Sequence, residues 1–417
     1  MPTRRVSPFT FLFTASTVSN LGDGLRIAAL PLVAAALTRN DLLVAAIISA
    51  NRLPWLAAPL IGTLVDFRDR RQVMIVVDLI RAVCTAGIGV MLFTRTCTVA
   101  LLAAAGFLLG VGEVFFDTAS IAITPALVGG AQLYRGNARI ISGQTAANQF
   151  AGQPLGGLAA AVSPALPFLA DGVSFIASVL LLRRIGGDFR PRAVPTRSRV
   201  LAEMMEGMRW LVRQRTLAIL TVSVGVLGIA GGAVQATLVL LVRYALGGGL
   251  WTYGLVLGIG AVGSLAGALF SAWFLAKVGF RAALVCSVIG GALTYLALGA
   301  SPDLLAASLA FLGIGATVVL WNVATVTARQ RLAPDRLLGR VQAAYRMVAW
   351  GTYPIGGMVG GLLAWHVGER APALLAAGLL LLLLPLVFLV PTHDATTTVV
   401  SQSRDVSDGE VVQSSSR

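Results

Sequence analysis

The chain has 417 residues, of which 57% are hydrophobic and only 12% are charged, and its formal net charge is +14. Soluble domains carry about 25% charged residues, so this composition excludes a soluble globular protein and predicts a polytopic membrane protein. A nucleic-acid-binding protein is also excluded, because it needs a solvated basic face, whereas these arginines lie in short segments between apolar runs.

Apolar runs long enough to cross a membrane, which takes about 20 mostly apolar residues, recur along the whole chain. In the first half of the sequence we predict six spans, at residues 10–36, 43–65, 73–93, 98–127, 141–162 and 165–183. In the second half we predict six more, at residues 217–242, 250–276, 282–300, 304–327, 342–366 and 371–391. The expected fold is therefore an all-α membrane protein of twelve transmembrane helices.

Polar stretches divide the chain into four expected parts. These are an N-terminal bundle at residues 1–183, a linker at 184–216, a C-terminal bundle at 217–391 and a tail at 392–417. Within the linker, apolar residues recur at helical spacing over 198–213, which predicts an amphipathic helix lying on the membrane surface. The tail is rich in Ser, Thr, Asp and Val without periodicity, so we expect it to be disordered.

The basic residues favour one side of these spans. Only four of the 32 lysines and arginines fall in the outer loops, namely Arg39, Arg95, Arg243 and Arg370. Because an excess of basic residues marks the cytoplasmic side of a membrane, we predict that both termini lie in the cytoplasm. Only one of the 32 basic residues is a lysine, which suggests a GC-rich bacterial coding sequence and hence the bacterial inner membrane.

The loop between the second and third spans holds five charges in six residues, at positions 66–71. Its pattern, with Gly62, Asp66, Arg68, Arg70 and Arg71, resembles the loop between helices 2 and 3 of the major facilitator superfamily. Its ending is similar to the branch that contains the enterobactin exporter and macrolide efflux proteins. The resemblance implies that Asp66 helps to hold the outward-open state together, so these residues are expected to form a conformational latch. A positive-inside anchor is the alternative.

Three further stretches, at residues 22–25, 137–139 and 329–341, are similar to the same branch. The resemblance implies the major facilitator fold, which consists of two pseudo-symmetric six-helix bundles. The two halves of the sequence also echo each other, because a glycine pair follows a proline in each; such internal repeats are typical of transporters with a site between their halves. Glycines permit close helix crossing, and the glycines expected to do so are Gly152, Gly156, Gly157, Gly356 and Gly357.

Charged side chains inside membrane spans are costly, so each is a candidate functional residue. Glu113 and Asp117 lie four residues apart on span 4, where two close carboxylates favour the binding of a proton. Asp23 lies on span 1 with Arg26 three residues away. We expect these three carboxylates to couple transport to protons. The alternative is a set of static ion pairs, of Asp23 with Arg26 or of Glu113 with an arginine from a neighbouring span.

Other charged residues also lie within spans. Asp78 and Arg81, three residues apart on span 3, are expected to form a structural ion pair. Arg52 fits either a gate or an anchor, and Arg346 is placed to extend its head group toward the interface.

Amides and aromatic rings inside the spans predict a cavity. Amides in a membrane helix either join helices or bind a polar ligand, and aromatic side chains line sites for amphiphilic molecules. Packing and interfacial anchoring are the alternative roles. The expected cavity residues are Asn20, Arg26, Asn148, Gln149, Trp321, Asn322 and Trp350.

The resemblance implies export of a small amphiphilic molecule, such as a drug, natural product or siderophore, in exchange for protons. Uptake of a nutrient by the same fold is one alternative. A membrane-embedded enzyme is another, but the chain has only two histidines, His366 and His393, and no Gly-x-x-x-x-Gly-Lys loop for nucleotide. We expect a monomer in the lipid bilayer that binds protons and a small-molecule substrate, with no cofactor, no metal and no nucleic-acid partner.

Overall fold

The computed structural model describes residues 7–65, 67–128, 133–187, 189 and 197–391. All regular secondary structure in this part of the chain is helical. The expected latch residue Asp66, the tail at 392–417 and part of the linker lie outside the described residues.

The N-terminal half contains eight α-helices. They are α1 (Pro8–Leu37), α2 (Asp41–Arg52), α3 (Ala58–Val65), α4 (Arg70–Phe93), α5 (Val99–Leu127), α6 (Leu133–Thr145), α7 (Gln153–Val162) and α8 (Leu166–Arg183). Four of them begin at a side-chain cap, because Ser7, Asn40, Asp69 and Thr98 accept hydrogen bonds from backbone N–H groups of the first turns of α1, α2, α4 and α5.

The linker and the C-terminal half contain the other eight. They are α9 (Arg197–Arg213), α10 (Arg215–Leu240), α11 (Leu250–Val278), α12 (Phe280–Gly299), α13 (Leu304–Leu332), α14 (Asp335–Gly351), α15 (Tyr353–Val367) and α16 (Ala371–Phe388). Helices α11 and α12 are joined by one residue, Gly279, whose φ of 82° lies in the left-handed region that glycine adopts without strain.

Nine helices in the described residues are long and apolar enough to cross a membrane. The other three expected spans are each interrupted near a proline, which removes a backbone donor and clashes with the preceding turn. Pro54 lies in a 3₁₀ segment, Leu53–Ala57, between α2 and α3. Pro154 follows a π-helical segment, Ala146–Gly152, between α6 and α7, and Pro354 lies just after the break between α14 and α15.

The two halves pack mainly within themselves. In the N-terminal half α8 packs against α1 and α4, and α2 against α5; in the C-terminal half α10 packs against α15, and α12 against α16. Helix α1 begins at one face of the molecule, called the near face below, and ends at the opposite, far face. Between the halves, α2 contacts α15 and α7 contacts α11.

The linker helix α9 has one face packed against other helices and an exposed apolar side chain on another face. Leu211 is fully buried, whereas Met205 is 44% exposed. Arg340 at the start of α14 forms an ion pair with Glu206, with 2.5 Å between Nη1 and Oε2. Gly207 lies against the backbone of Arg340. A helix is therefore present at the expected place in the linker, and it packs mainly on the C-terminal half; its position on the membrane surface stays a prediction.

Candidate functional site

Helices α1, α4 and α8 bring five charged side chains together out of contact with the surface. Arg26 Nη2 donates to Asp23 Oδ1 at 2.7 Å, and Arg81 Nη2 lies 2.5 Å from both Asp23 oxygens. Arg26 Nε donates to Asp171 Oδ2 at 3.0 Å, and Arg81 Nη1 donates to Asp78 Oδ1 at 3.2 Å. None of the five residues is more than 2% exposed. We call them the buried charge cluster.

Spacing along single helices accounts for two of the ion pairs in the buried charge cluster. Arg26 follows Asp23 by three residues and Arg81 follows Asp78 by three, so each pair shares one face of its helix. The Asp78–Arg81 ion pair expected from the sequence is therefore present, and so is the Asp23–Arg26 ion pair that the sequence left open as the alternative to a coupling role. Arg81 does more than the expected structural pairing, because its guanidinium joins α4 to α1 through Asp23.

Close helix approach supplies the rest of the cluster. Gly22 on α1 lies against the side chains of Asp171 and Ser174 on α8, and a methyl group there would collide with both. The guanidinium of Arg81 also lies 4.1 Å from the centre of the Phe175 ring on α8, within the range of a cation–π interaction. Because charges removed from water are stable only when they are well paired, the cluster ties the three helices to one another.

Asp171 is the member of the cluster that the sequence analysis missed. It lies in the first part of α8, a helix that is otherwise almost wholly apolar up to Arg183. The rule that singled out Asp23, namely that an ionisable residue inside a span is a candidate, also applies to Asp171. Its partner Arg26 is 145 positions away in sequence, so spacing alone could not have indicated the pair.

A second group of charged and aromatic side chains lies where the two halves meet. Arg52 Nη1 donates to Glu113 Oε1 at 3.0 Å, and its guanidinium lies 5.2 Å from the centre of the Trp350 ring in the opposite half. In the reverse direction, Arg346 on α14 lies 5.4 Å from the ring of Trp55. The two indole rings are 5.9 Å apart. We call Arg52, Trp55, Glu113, Arg346 and Trp350 the interface cluster.

Glu113 connects the two clusters. Its Oε2 lies 4.0 Å from Arg26 Nη2, while its Oε1 accepts from Arg52. The ion pair of Glu113 with an arginine from a neighbouring span, the alternative that the sequence left open, is therefore present. Asp117, one turn further along α5, accepts a hydrogen bond from Gln144 Nε2 at 3.3 Å. Continuous electrostatic contact thus runs from the N-terminal core to the contact between the halves.

The expected cavity residues lie in several different environments. Arg26 belongs to the buried charge cluster and Trp350 to the interface cluster, so only the second lies directly at the contact between the halves. Asn20 donates to the Ser16 carbonyl of its own helix at 3.0 Å. Asn148 accepts a hydrogen bond from the Gln153 side chain at 3.2 Å.

The remaining three expected cavity residues differ in how far they are buried. Trp321 is 4% exposed, and its indole nitrogen has no hydrogen-bond partner among the described residues. Gln149 and Asn322 are exposed. Gln149 lies in the π-helical segment before α7, and such segments occur frequently at functional sites.

The paired glycines lie at close helix crossings in both halves. Gly156 lies against the backbone of Leu25 on α1, in its own half, and Gly356 lies against Ile229 on α10 in the same way. The next glycine of each pair faces across the molecule. A methyl group built on Gly157 would lie 2.5 Å from Cα of Gly254 on α11.

Gly357 completes this pattern. It lies against the Ser49 side chain on α2, so it too contacts the opposite half. In each half the first glycine of the pair therefore packs internally and the second packs across, which is the relation that a pseudo-twofold repeat predicts. Gly152, one turn before the first pair, lies against Leu21 and Gly24 of α1.

The described latch residues lie at the near face, around the start of α4. Asp69 caps this helix by accepting from the N–H groups of Arg71 and Gln72 at 2.9 and 3.1 Å, which accounts for one of the acidic residues in the basic loop. Arg71 Nη1 donates to the carbonyl of Ile185 after α8. Arg68 is exposed, Arg70 is the first residue of α4, and Gly62 lies on α3 beside Thr118 of α5.

The contacts between the halves concentrate from the middle of the molecule toward the far face. Gly361 on α15 lies against Ala45 on α2, in the part of both helices nearest the far face. Closer still to that face, Tyr244 Oη donates to the Ala35 carbonyl on α1 at 3.2 Å. The glycine contacts between α7 and α11 lie in the same half of the molecule.

Two helical halves, each holding a repeated glycine crossing, with charged residues buried between membrane-spanning helices, define a major facilitator transporter. The chain belongs to the transmembrane secretion effector family, whose family model matches residues 2–414. It is 28% identical over 405 residues to the multidrug efflux pump Tap of Mycolicibacterium fortuitum, covering 93% of this chain and 96% of that one.

Solved transporters share the fold. The nucleoside transporter NupG aligns with a TM-score of 0.73 at 13% identity, covering 92% of this chain and 99% of that one. A bacterial homologue of the iron transporter ferroportin, in an inward-facing state, aligns with a TM-score of 0.70 at 17% identity, covering 91% and 98%. A bacterial homologue of the human lysosomal transporter Spinster, in an inward-facing and unoccupied conformation, aligns with a TM-score of 0.70 at 13% identity, covering 92% of this chain and 96% of that one. At these identities the likeness shows the fold alone.

Proposed function

We propose that the protein exports a small amphiphilic molecule across the bacterial inner membrane and that protons move in the opposite direction. The observation that carries this proposal is the chain of charged contacts from the buried charge cluster through Glu113 to the interface cluster. Charges at that depth are retained at a high cost and commonly mark ion and proton pathways. The similarity to a multidrug efflux pump supports export as the direction.

Alternating access follows from the pattern of contacts between the halves. We infer that residues 1–183 and 217–391 move as two units joined by the linker at 184–216, and that the protein acts as a monomer. The contacts toward the far face close that side, so this conformation opens toward the near face, where the basic loops lie. If the near face is cytoplasmic, as the distribution of arginines indicates, the structure is in the inward-facing state.

Coupling is proposed to involve the carboxylates Glu113, Asp117 and Asp23. A proton on Glu113 would neutralise the partner of Arg52 and leave that guanidinium held by Trp350 of the other half. Substrate binding beside the tryptophans would then compete with the contacts that join the halves. In this way a proton on Glu113 and a substrate at the interface can both change the contact between Arg52 and Trp350 that joins the halves.

The double substitution Glu113→Gln with Asp117→Asn tests the proposal. A resistance profile of cells that overproduce the protein first selects a compound, starting with the amphiphilic dye rhodamine 6G. In inverted vesicles, wild-type protein is expected to accumulate that compound when the vesicle interior is made acidic, and the double variant is expected to lose this response, because neither side chain can take up a proton.

Glu369→Gln, in the loop between α15 and α16, is the matched control and should accumulate the compound like the wild type. Gradient-driven accumulation by the double variant at the wild-type rate would contradict a coupling role for Glu113 and Asp117. Accumulation in right-side-out vesicles instead would contradict export.

A further inference from the structure

The buried charge cluster contains more acidic than basic groups. Within the part of the chain that the structure describes, three carboxyl groups, of Asp23, Asp78 and Asp171, share two guanidiniums, of Arg26 and Arg81. Adding the neighbouring Glu113 brings Arg52 with it, so the surplus of one acidic group remains. An uncompensated charge away from water is strongly unfavourable, and the simplest remedy is a proton on one carboxyl group.

Two of the three carboxyl groups are well supplied with donors as carboxylates. Asp23 accepts from both guanidiniums at 2.5 to 2.7 Å. Asp171 accepts from Arg26 Nε at 3.0 Å, and the Ser174 hydroxyl, which donates to the Asp171 backbone carbonyl at 2.8 Å, lies 3.4 Å from its other carboxyl oxygen. Asp23 therefore has a charged donor at both oxygens, which favours the ionised form, and Asp171 has a closer guanidinium contact than Asp78 has.

Asp78 differs from the other two. Its Oδ1 has the longest ion pair of the cluster, 3.2 Å from Arg81 Nη1. Its Oδ2 is buried and has no hydrogen-bond partner among the described residues, and the same is true of the Ser178 hydroxyl oxygen beside it on α8. A buried oxygen without a hydrogen-bond partner is costly as a carboxylate. Protonation removes that charge, and the Ser178 hydroxyl, which can donate or accept, can serve either form of the group.

We propose that Asp78 holds a proton in this conformation and is a second proton-binding site, separate from Glu113 and Asp117. The proton makes the cluster neutral and leaves Arg81 bound mainly to Asp23 on α1. Loss of the proton would make Asp78 a competing partner for Arg81 and so weaken the connection between α4 and α1. The groups that face it are Asp23 and Arg26 from α1, Arg81 from α4, and Asp171 with Ser178 from α8.

Infrared spectroscopy of the purified full chain tests this assignment without any transport. A protonated buried carboxyl group gives a C=O stretching band that a carboxylate lacks. The wild type at neutral pH is expected to show such a band and Asp78→Asn to lack it, while Asp171→Glu, which keeps the number of acidic groups in the cluster, retains it. Asn closely matches a neutral Asp in size, so the Asp78→Asn fold should persist. Equal spectra for wild type and Asp78→Asn would overturn the assignment, as would a wild type that shows no such band.

The role of this proton in transport rests on the proposed proton-driven export and is tested separately. In inverted vesicles Asp78→Asn is expected to lose gradient-driven accumulation of the selected compound, and Asp78→Glu to recover part of it. Full accumulation by Asp78→Asn would overturn the coupling role while leaving the spectroscopic result intact. If wild-type protein itself ignores the gradient, the proposed function fails, and the infrared band still decides whether Asp78 is protonated.

Discussion

Replacement of Arg81 with Met is expected to destabilise the protein by about 3–5 kcal/mol, because removal of one member of a buried ion pair leaves uncompensated charge. Arg81 is 1% exposed and serves two carboxyl groups, Asp23 and Asp78, on two different helices. Met keeps much of the side-chain volume beside Phe175, so the loss reports the charge rather than a cavity. The measurement is the thermal unfolding midpoint in detergent, followed by size-exclusion chromatography.

A double substitution separates charge from packing in this result. Arg81→Met combined with Asp23→Asn should be more stable than Arg81→Met alone, because the second change removes an acidic group that has lost its main partner. The exposed residue Arg39 in the loop before α2 provides the matched control, and Arg39→Met should change stability by less than about 0.5 kcal/mol. Equal losses for Arg81→Met and Arg39→Met would show that the cluster contributes little to stability.

Replacement of Gly156 and Gly157 together with Val-Val should cost both stability and transport. Overpacking a close site costs about 1–3 kcal/mol, and these two glycines meet different neighbours, because Gly156 meets Leu25 within its half and Gly157 meets Gly254 across the molecule. Both neighbours are backbone atoms, which no side-chain rotation can move aside. The second pair, Gly356 and Gly357, should show a loss of the same kind but smaller, because Gly356 meets the backbone of Ile229 whereas Gly357 meets the side chain of Ser49.

Gly378 on α16 is the control for these variants, since no atom lies within 4 Å of a methyl group built on it. Gly378→Val should therefore leave the unfolding midpoint and transport close to the wild-type values. Unchanged stability for both Val-Val variants would mean that the glycine crossings are not needed for packing.

The sequence predicted the membrane-spanning architecture well because hydropathy reports burial in lipid directly. It did not indicate that three spans would be interrupted, although Pro54, Pro154 and Pro354 stood at equivalent points of those spans. The apolar residues of these three spans continue without a gap across the break. Hydropathy therefore predicts one helix for each span, whereas the backbone forms two. Membrane helices tolerate such breaks when neighbouring helices satisfy the freed backbone groups.

The candidate site was only partly predictable for a related reason. Spacing along one helix identified Asp23 with Arg26 and Asp78 with Arg81, because residues three positions apart share a helix face. It could not bring Asp171 to Arg26, which depends on α1 lying against α8 at Gly22. Contacts between helices follow from the packing of the whole fold.

The same limit applies to the interface cluster. Trp350 was expected near the substrate, but the arginine that covers its ring, Arg52, comes from α2 in the opposite half. Arg346 and Trp55 form the reciprocal contact. For Arg52 the sequence left a gate and an anchor open, and Arg346 was expected to extend toward the interface, because the sequence of one helix does not show which aromatic ring of another helix a guanidinium will contact.

Proton-coupled export is tested most directly by following both partners of the exchange at once. Purified full-length protein is reconstituted into liposomes with a pH-sensitive dye inside, and the compound selected by the resistance profile is added under a pH gradient. The account predicts that substrate and protons cross in opposite directions, and that the Glu113→Gln, Asp117→Asn double variant moves neither in response to the gradient. Substrate movement by the wild type with no accompanying change in the internal pH would contradict it.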